Sequence, residues 1–237
     1  MQRSRAIWSL PVGLCLLASL TCAQTVTVSG TVNIMRPGKA KPDHSGAVIS
    51  LQAMPLVAGA GKKLPPATFT VVQKDKTFDP HVLAVPVGSM VAFPNFDPFF
   101  HNVFSMFDGR RFDLGLYEAG ASRTASFPKA GVCYIFCNIH PEMTAIIVVV
   151  DTPHVIVSNA SGKFLIPNVP PGRYRVTVWH ERAQLATKGD YPRDLTISAE
   201  SESLGIIQLV DSGQLTVPHK NKYGRDYDSG TSGPNYK

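Results

Sequence analysis

Short β-forming runs separated by turn residues follow one another along almost the whole chain. Valine-rich stretches alternate with turns that draw on 19 glycines and 19 prolines, and no stretch shows a helical period. The strongest of these runs is Ile146–Val150, which consists only of β-branched residues. The sequence therefore predicts an all-β protein.

The first 23 residues have the pattern of a secretory signal peptide. Two arginines precede an apolar stretch from Ala6 to Leu20, and small residues follow it before a predicted cut after Ala23. The stretch is too short to span a bilayer and no later run is apolar enough to hold the chain in lipid, which argues against a membrane anchor. Cys22 would suit a lipoprotein, but the residues before it do not. We expect a periplasmic or secreted mature chain without a membrane span.

Removal of the signal peptide changes the cysteine content. Cys15 and Cys22 are lost with it, so Cys133 and Cys137 remain. In one extended strand their Cα atoms would lie about 13 Å apart at roughly 3.3 Å per residue, whereas a disulfide needs them within about 7 Å. An exported chain with two cysteines and no plausible bridge needs another use for at least one of them. Metal ligation is the use that we expect.

The segment 137–143 places three metal-binding side chains at the end of a predicted strand. Cys137, His140 and Met143 offer a thiolate, an imidazole and a thioether within seven residues. A thiolate and two imidazoles in a trigonal array, with a weak axial thioether, suit both Cu(I) and Cu(II). The second imidazole has a candidate in His101, which lies in an aromatic run upstream. The sequence thus predicts a mononuclear copper site that moves single electrons.

Residues around the predicted ligands have smaller expected roles. Asn102 and Asn138 each follow a ligand, and we expect them to brace the site through hydrogen bonds. No His-x-His pair and no nucleophile–base arrangement is present, so we expect neither extra copper sites nor an enzyme. The remaining histidines are scattered: His44, His81, His154, His180 and His219.

Composition shifts divide the chain into five parts. We predict a signal peptide over 1–23, N-terminal strands and a linker over 24–66, a copper domain over 67–152, a second β-sandwich over 153–210 and a polar, mobile tail over 211–237. Only five strands are predicted after residue 153, whereas an immunoglobulin-like sandwich has about seven. Two predicted N-terminal strands would complete it. We therefore favour a copper domain inserted into a discontinuous second sandwich; the alternative packs the N-terminal pair on the copper domain.

Several motifs resemble a known family, the cupredoxins, which include plastocyanin and amicyanin. The similarity is greatest to bacterial plastocyanin-like proteins often labelled methylamine-utilisation proteins. It rests on the loop 137–143 and on five further segments: Phe78–Gly88, Phe93–Asn95, His101–Ser105, Arg111–Tyr117 and Val149–Pro153. The resemblance implies a Greek-key sandwich with one type 1 copper ion. The ligands that it implies are His101, Cys137, His140 and Met143.

The part after residue 153 resembles a different module. Gly162–Phe164 and Pro170–Tyr174 are similar to a carboxypeptidase-regulatory or transthyretin-like β-sandwich. This resemblance implies an immunoglobulin/transthyretin-like fold and says little about function.

Cys133 opens an alternative for the metal centre. Cys-x3-Cys followed by His and Met resembles the binuclear copper centre of cytochrome oxidase subunit II, which has three residues between its second Cys and its His. Here two residues separate Cys137 from His140. We therefore favour a buried core cysteine at position 133.

The leading hypothesis is an exported blue-copper electron carrier that meets redox partner proteins of unknown identity. Two alternatives stay open: a protein that carries or buffers copper, and a cell-envelope binding module with a structural copper. Removing Arg3 and Arg5 from 23 basic residues leaves 21 against 17 acidic ones, without a dense basic run. Nucleic acid is therefore not expected as a partner.

Overall fold

A computed structural model of the chain describes residues 25–36, 43–54, 67–106, 110–186, 190–198, 200, 202–211 and 220–227. The predicted signal peptide, with its cut after Ala23, and residues 55–66 of the predicted linker lie outside this part. All regular secondary structure in the described residues is β-strand, as the all-β prediction requires. In the same residues no helix has the length and hydropathy needed to cross a bilayer.

Eighteen strands make up the regular structure of the described residues. In chain order they are β1 (Val26–Met35), β2 (Val48–Met54), β3 (Thr68–Thr70), β4 (Val72–Lys74), β5 (Thr77–Asp79), β6 (Val82–Pro86), β7 (Ser89–Pro94), β8 (His101–Ser105), β9 (Phe112–Tyr117), β10 (Ser122–Phe127), β11 (Gly131–Phe136), β12 (Thr144–Val150), β13 (Val155–Val157), β14 (Lys163–Val169), β15 (Gly172–Trp179), β16 (Ala183–Leu185), β17 (Arg193–Ile197) and β18 (Glu202–Asp211).

Strands from both ends of the chain form one β-sandwich, called here the terminal sandwich (β1, β2 and β13–β18). Its sheets have the orders β14–β1–β18–β16 and β13–β2–β15–β17. β1 lies between β14 and β18, and β2 lies between β13 and β15. Even-numbered residues of β1 enter the apolar core of this sandwich, as the period of two in a strand requires. They are Val26, Val28, Val32 and Ile34.

Strands β3–β12 form a second unit, called here the central sandwich. Its sheets have the orders β10–β7–β3 and β6–β12–β11–β8–β9, and the short hairpin β4–β5 lies beside them. Large side chains such as Phe93, Phe127 and Ile147 are fully buried between the sheets. Cys137 and Met143 belong to the same core cluster, so the predicted metal-ligand loop is anchored in this core.

The two sandwiches share an apolar interface on the outer face of β12. Ile147 points into the core of the central sandwich, while Ile146 and Val148 point the other way. The latter two pack in a cluster with Val48 of the terminal sandwich and with Val82. Because both of its faces are covered, β12 is an almost continuous run of buried residues.

Besides the three-residue β5, which pairs with β4, two strands, β9 and β16, lie where the sequence predicts none. β9 contains Asp113 and Gly115, and it pairs with β8 across a register shift at the edge of its sheet. Most of its side chains are exposed or half-buried, so no apolar alternation marks it. β16 has only three residues and is held by its pairing with β18. In both cases tertiary pairing outweighs weak local propensity.

A histidine–carboxylate pair joins the two sandwiches. His81, just before β6, contacts Glu181 with 2.9 Å between Nε2 and Oε2, and its Nδ1 lies 3.0 Å from the carbonyl oxygen of Thr144. The hydrogen bond to Glu181 raises the pKa of His81 against the effect of its burial. The hydrogen bond from His81 in turn lowers the pKa of Glu181.

We expect this pair to stabilise the fold most at mildly acidic pH. A raised histidine pKa gives stability that is fully present below the unfolded value of 6.5 and is lost as the pH rises through the folded pKa. The lowered pKa of Glu181 sets the lower end of the pH range, because the contribution of the pair to the free energy of unfolding is lost as the pH falls through that pKa. The His81 side chain is 47% exposed, so we expect about 0.5–1 kcal/mol in the free energy of unfolding.

Urea unfolding of wild-type protein and a His81→Gln variant measures this contribution. The difference in unfolding free energy should be larger at about pH 5.5 than at about pH 8.5. A difference that is the same at both pH values contradicts the assignment.

Candidate metal centre

The strand order explains how residues distant in sequence meet at one end of the central sandwich. Cys137 directly follows β11, and His101 is the first residue of β8. β8 and β11 are antiparallel neighbours, with Phe104 opposite Phe136. The start of β8 therefore lies beside the end of β11, where the loop 137–143 begins.

His101, Cys137 and His140 form a compact cluster of ligand atoms. These atoms all lie within 4.8 Å of one another. The Cys137 Sγ is 3.9 Å from His101 Nδ1 and 3.7 Å from His140 Nδ1, so both imidazoles face the sulfur. Metal–ligand bonds of roughly 2.0–2.3 Å at trigonal angles separate ligand atoms by about 3.7 Å. The cluster thus has the dimensions of a trigonal metal site.

Met143 closes the loop on the core side. Its backbone N–H donates to the His140 carbonyl at 3.0 Å, and its carbonyl accepts from the Cys137 N–H at 3.1 Å. The side chain is fully buried in the core cluster that also contains Cys137. The structure therefore brings three predicted ligands into one cluster and buries the fourth at the base of the same loop.

Burial sets the protonation of the three clustered groups. It raises the pKa of the Cys137 thiol, although backbone N–H groups of Ile139, Asn102 and His140 hydrogen-bond to the sulfur and lower it in part. Burial lowers the pKa of His101, against the opposing effect of Asp97. It also lowers the pKa of His140, and the charge of His101 adds to this effect. Near neutral pH both imidazoles are in the form that binds metals, and a metal must displace the thiol proton.

Asp97, which the sequence does not predict as part of the site, orients His101. Its Oδ2 lies 2.7 Å from His101 Nε2, and its carboxylate also accepts the backbone N–H groups of Asp75 at 2.7 Å and Lys76 at 3.0 Å. Because Nε2 donates its proton to Asp97, the Nδ1 lone pair faces Cys137. The one sequence feature that could have indicated this role is the position of an acidic residue four residues before the predicted ligand, within a turn.

The two predicted bracing asparagines make different contacts. Asn102 is fully buried, and its Nδ2 donates to Asp113 Oδ1 at 2.8 Å while its backbone N–H contacts the Cys137 sulfur. Asn138 instead accepts, through Oδ1, a hydrogen bond from the backbone N–H of Lys222 at 3.0 Å. The sequence does not predict a role for Asp113 or Lys222, because only the tertiary structure brings them near the loop 137–143.

Cys133 is separate from the ligand cluster. Its Sγ donates to Ser105 Oγ at 3.3 Å, and it is buried in the core of the central sandwich. Burial raises the pKa of its thiol to about 11, and it forms no disulfide with Cys137. These contacts agree with the interpretation as a core cysteine.

Two rings contact the half-buried His140. The Phe99 ring lies beside both histidines, with its centroid 5.2 Å from that of His101 and 5.7 Å from that of His140. Phe100 and Phe96 are 39% and 62% exposed on the same loop. The half-buried His140 ring thus lies against the rings of Phe99 and His101, and Lys76 Nζ lies 5.6 Å from the Phe99 centroid.

Comparison with protein-family models finds no match, and no curated protein matches the chain. Matches among solved structures are partial. A purple cupredoxin from Nitrosopumilus maritimus is 23% identical, with a TM-score of 0.31, over 35% of this chain and 99% of its own. A reduced form of an amicyanin mutant is 21% identical, with a TM-score of 0.34, over 44% and 99% of the respective chains. A copper-containing nitrite reductase from Thermus scotoductus SA-01 is 28% identical, with a TM-score of 0.35, over 50% of this chain and 28% of its own.

Proposed function

We propose that this protein is an exported carrier of single electrons that binds one type 1 copper ion. The proposed ligands are His101, Cys137, His140 and Met143. The observation that supports the proposal most is the triangle of two imidazole nitrogens and one sulfur, with edges of 3.7 and 3.9 Å on the sulfur. Copper, when bound, supplies the one-electron redox couple.

The residues of this chain would hold the site rigid and dry. Asp97 fixes the His101 ring, backbone N–H groups point at the Cys137 sulfur, and the core of the central sandwich supports Met143. A site that changes little between oxidation states transfers electrons with little reorganisation. The edge of His140, beside the Phe99 ring, is the proposed contact for redox partner proteins.

The proposed domain organisation is a copper domain over 67–152 inserted into a second sandwich. It is supported by the pairing of β1 and β2 with strands that follow residue 153. The proposed signal peptide is tested separately, by sequencing the N-terminus of the exported protein.

An optical and electron spin resonance spectrum of the copper-loaded mature protein tests the function. We expect an intense visible band from thiolate-to-copper charge transfer, one copper per chain and fast, reversible reduction. A colourless protein, or two coppers per chain, would defeat the proposal. Rapid transfer of Cu(I) to an acceptor protein, without redox turnover, would instead favour copper handling.

A further inference from the structure

Residues 220–227, called here the C-terminal strap, lie against the proposed metal-ligand loop. The backbone N–H of Lys222 donates to Asn138 Oδ1 at 3.0 Å, and the Tyr227 hydroxyl donates to the Cys137 carbonyl at 3.1 Å. The Lys222 ammonium lies 2.8 Å from Asp113 Oδ2. The strap falls inside the segment 211–237, which the sequence predicts to be a mobile tail, yet it makes three contacts with residues at or near the copper site.

A turn centred on Asn221 gives the strap a defined shape. Asn221 Oδ1 accepts the backbone N–H groups of Tyr223 at 3.0 Å and Arg225 at 3.1 Å. The Asn221 carbonyl also accepts the N–H of Gly224, whose φ of 75° suits glycine. This turn presents Lys222 to the loop and leaves Tyr223 70% exposed.

Two chains of hydrogen bonds connect the strap to the backbone around the Cys137 sulfur. Tyr227 holds the Cys137 carbonyl, and Ile139 and His140, which follow in the same loop, have backbone N–H groups that lower the pKa of the Cys137 thiol. Along the second route, Lys222 binds Asp113, and Asp113 binds the side chain of Asn102. The backbone N–H of Asn102 also lowers the pKa of the Cys137 thiol.

We propose that the C-terminal strap is a positioning element for the Cys137 thiolate, with Tyr227 and Lys222 as its positioning residues. The inference rests on the proposed copper function where it concerns the redox couple. By holding the Cys137 carbonyl and, through Asp113, the side chain of Asn102, the strap keeps the backbone N–H groups of Ile139, His140 and Asn102 oriented towards the sulfur. Hydrogen bonds to the sulfur reduce its donation to the metal, and they therefore favour Cu(I) over Cu(II).

The redox test compares single substitutions with matched substitutions on the same strap. Tyr227→Phe and Lys222→Met remove the two side-chain contacts, whereas Tyr223→Phe and Lys220→Met make the same chemical changes at exposed positions. We expect each of the first pair to shift the equilibrium three- to tenfold towards Cu(II), where tenfold is about 59 mV for one electron. The charge-transfer band should move as well. If the potentials and bands of all four variants equal those of the wild type, the proposal is overturned.

A second measurement uses the metal-free protein, so that its result does not depend on copper binding. We expect the amides of Ile139 and His140 to exchange with solvent about three- to tenfold faster in Tyr227→Phe than in Tyr223→Phe, as loss of one net hydrogen bond predicts. Equal exchange rates of these amides in the two variants would overturn the proposed positioning role of the strap. A wild-type protein that fails to bind copper yet shows this difference would overturn only the proposed function.

Discussion

Replacement of Cys137 by serine should abolish the visible band and most of the copper affinity, whereas replacement of Cys133 should preserve both. The Cys137 sulfur lies 3.7 and 3.9 Å from the two imidazole nitrogens, and no other described thiol lies in the ligand cluster. A serine hydroxyl stays protonated near neutral pH, binds Cu(I) weakly and has no sulfur orbital for charge transfer. Visible and spin-resonance spectra, with copper content per chain, measure the effect.

Cys133→Ser is a matched control because both cysteines are buried in the same core cluster. Each substitution exchanges a buried thiol for a hydroxyl that keeps polar neighbours, Ser105 Oγ at position 133 and two imidazole nitrogens at position 137. The two variants should therefore lose similar unfolding free energy, at most about 1–3 kcal/mol. If Cys133→Ser also loses its colour, or if the wild type holds two coppers, a mononuclear site is wrong and a binuclear one is favoured.

Replacement of Asp97 by asparagine should weaken copper binding by about 10- to 100-fold, the range found when partners of metal-bound histidines are lost. The Asp97 carboxylate accepts hydrogen bonds from His101 and from two backbone N–H groups, and an amide cannot accept all three. One buried donor would then lack an acceptor, at a cost of about 1–3 kcal/mol. Competition with a Cu(I) chelator and urea unfolding of the metal-free protein give the two values.

Asp75→Asn provides the comparison for this variant. Asp75 is exposed, and its backbone N–H, which the substitution retains, is the group that contacts Asp97. We expect wild-type copper affinity and stability from it. Equal affinities for Asp97→Asn and Asp75→Asn would show that the carboxylate does not position His101.

Local patterns predict most strands of this fold because their buried residues alternate or form continuous apolar runs. The run Ile146–Val150 and the N-terminal strand Val26–Met35 are examples, and both lie in strands of the structure. β9 escaped prediction because an exposed edge strand has no apolar alternation, and its pairing with β8 includes a register shift. Long-range pairing, which the local sequence does not encode, decides such cases.

In the candidate site, too, the sequence predicts the residues with a local pattern and misses those whose role depends on the tertiary structure. Cys137 and His140 are close in sequence, so their spacing alone indicates a shared function. The sequence also offers His101 as a candidate, and the structure places it within the same 4.8 Å cluster. The role of Asp97 has no local sequence pattern because it depends on the β4–β5 turn, which brings two N–H groups to its carboxylate. Tyr227 lies in a polar segment that predicts mobility, and its contact is with a backbone carbonyl, which leaves no sequence signature.

The burial of β12 on both faces bears on any attempt to transplant the metal centre into another protein. A fragment cut to residues 67–152 would carry Val82, Ile146 and Val148 into water, since the partner surface belongs to the terminal sandwich. Such a patch on the face of an excised sheet favours self-association. An isolated central sandwich would need polar residues at these three positions. Because the loop 137–143 leads directly into β12, changes in that strand would also affect the geometry of the proposed ligands.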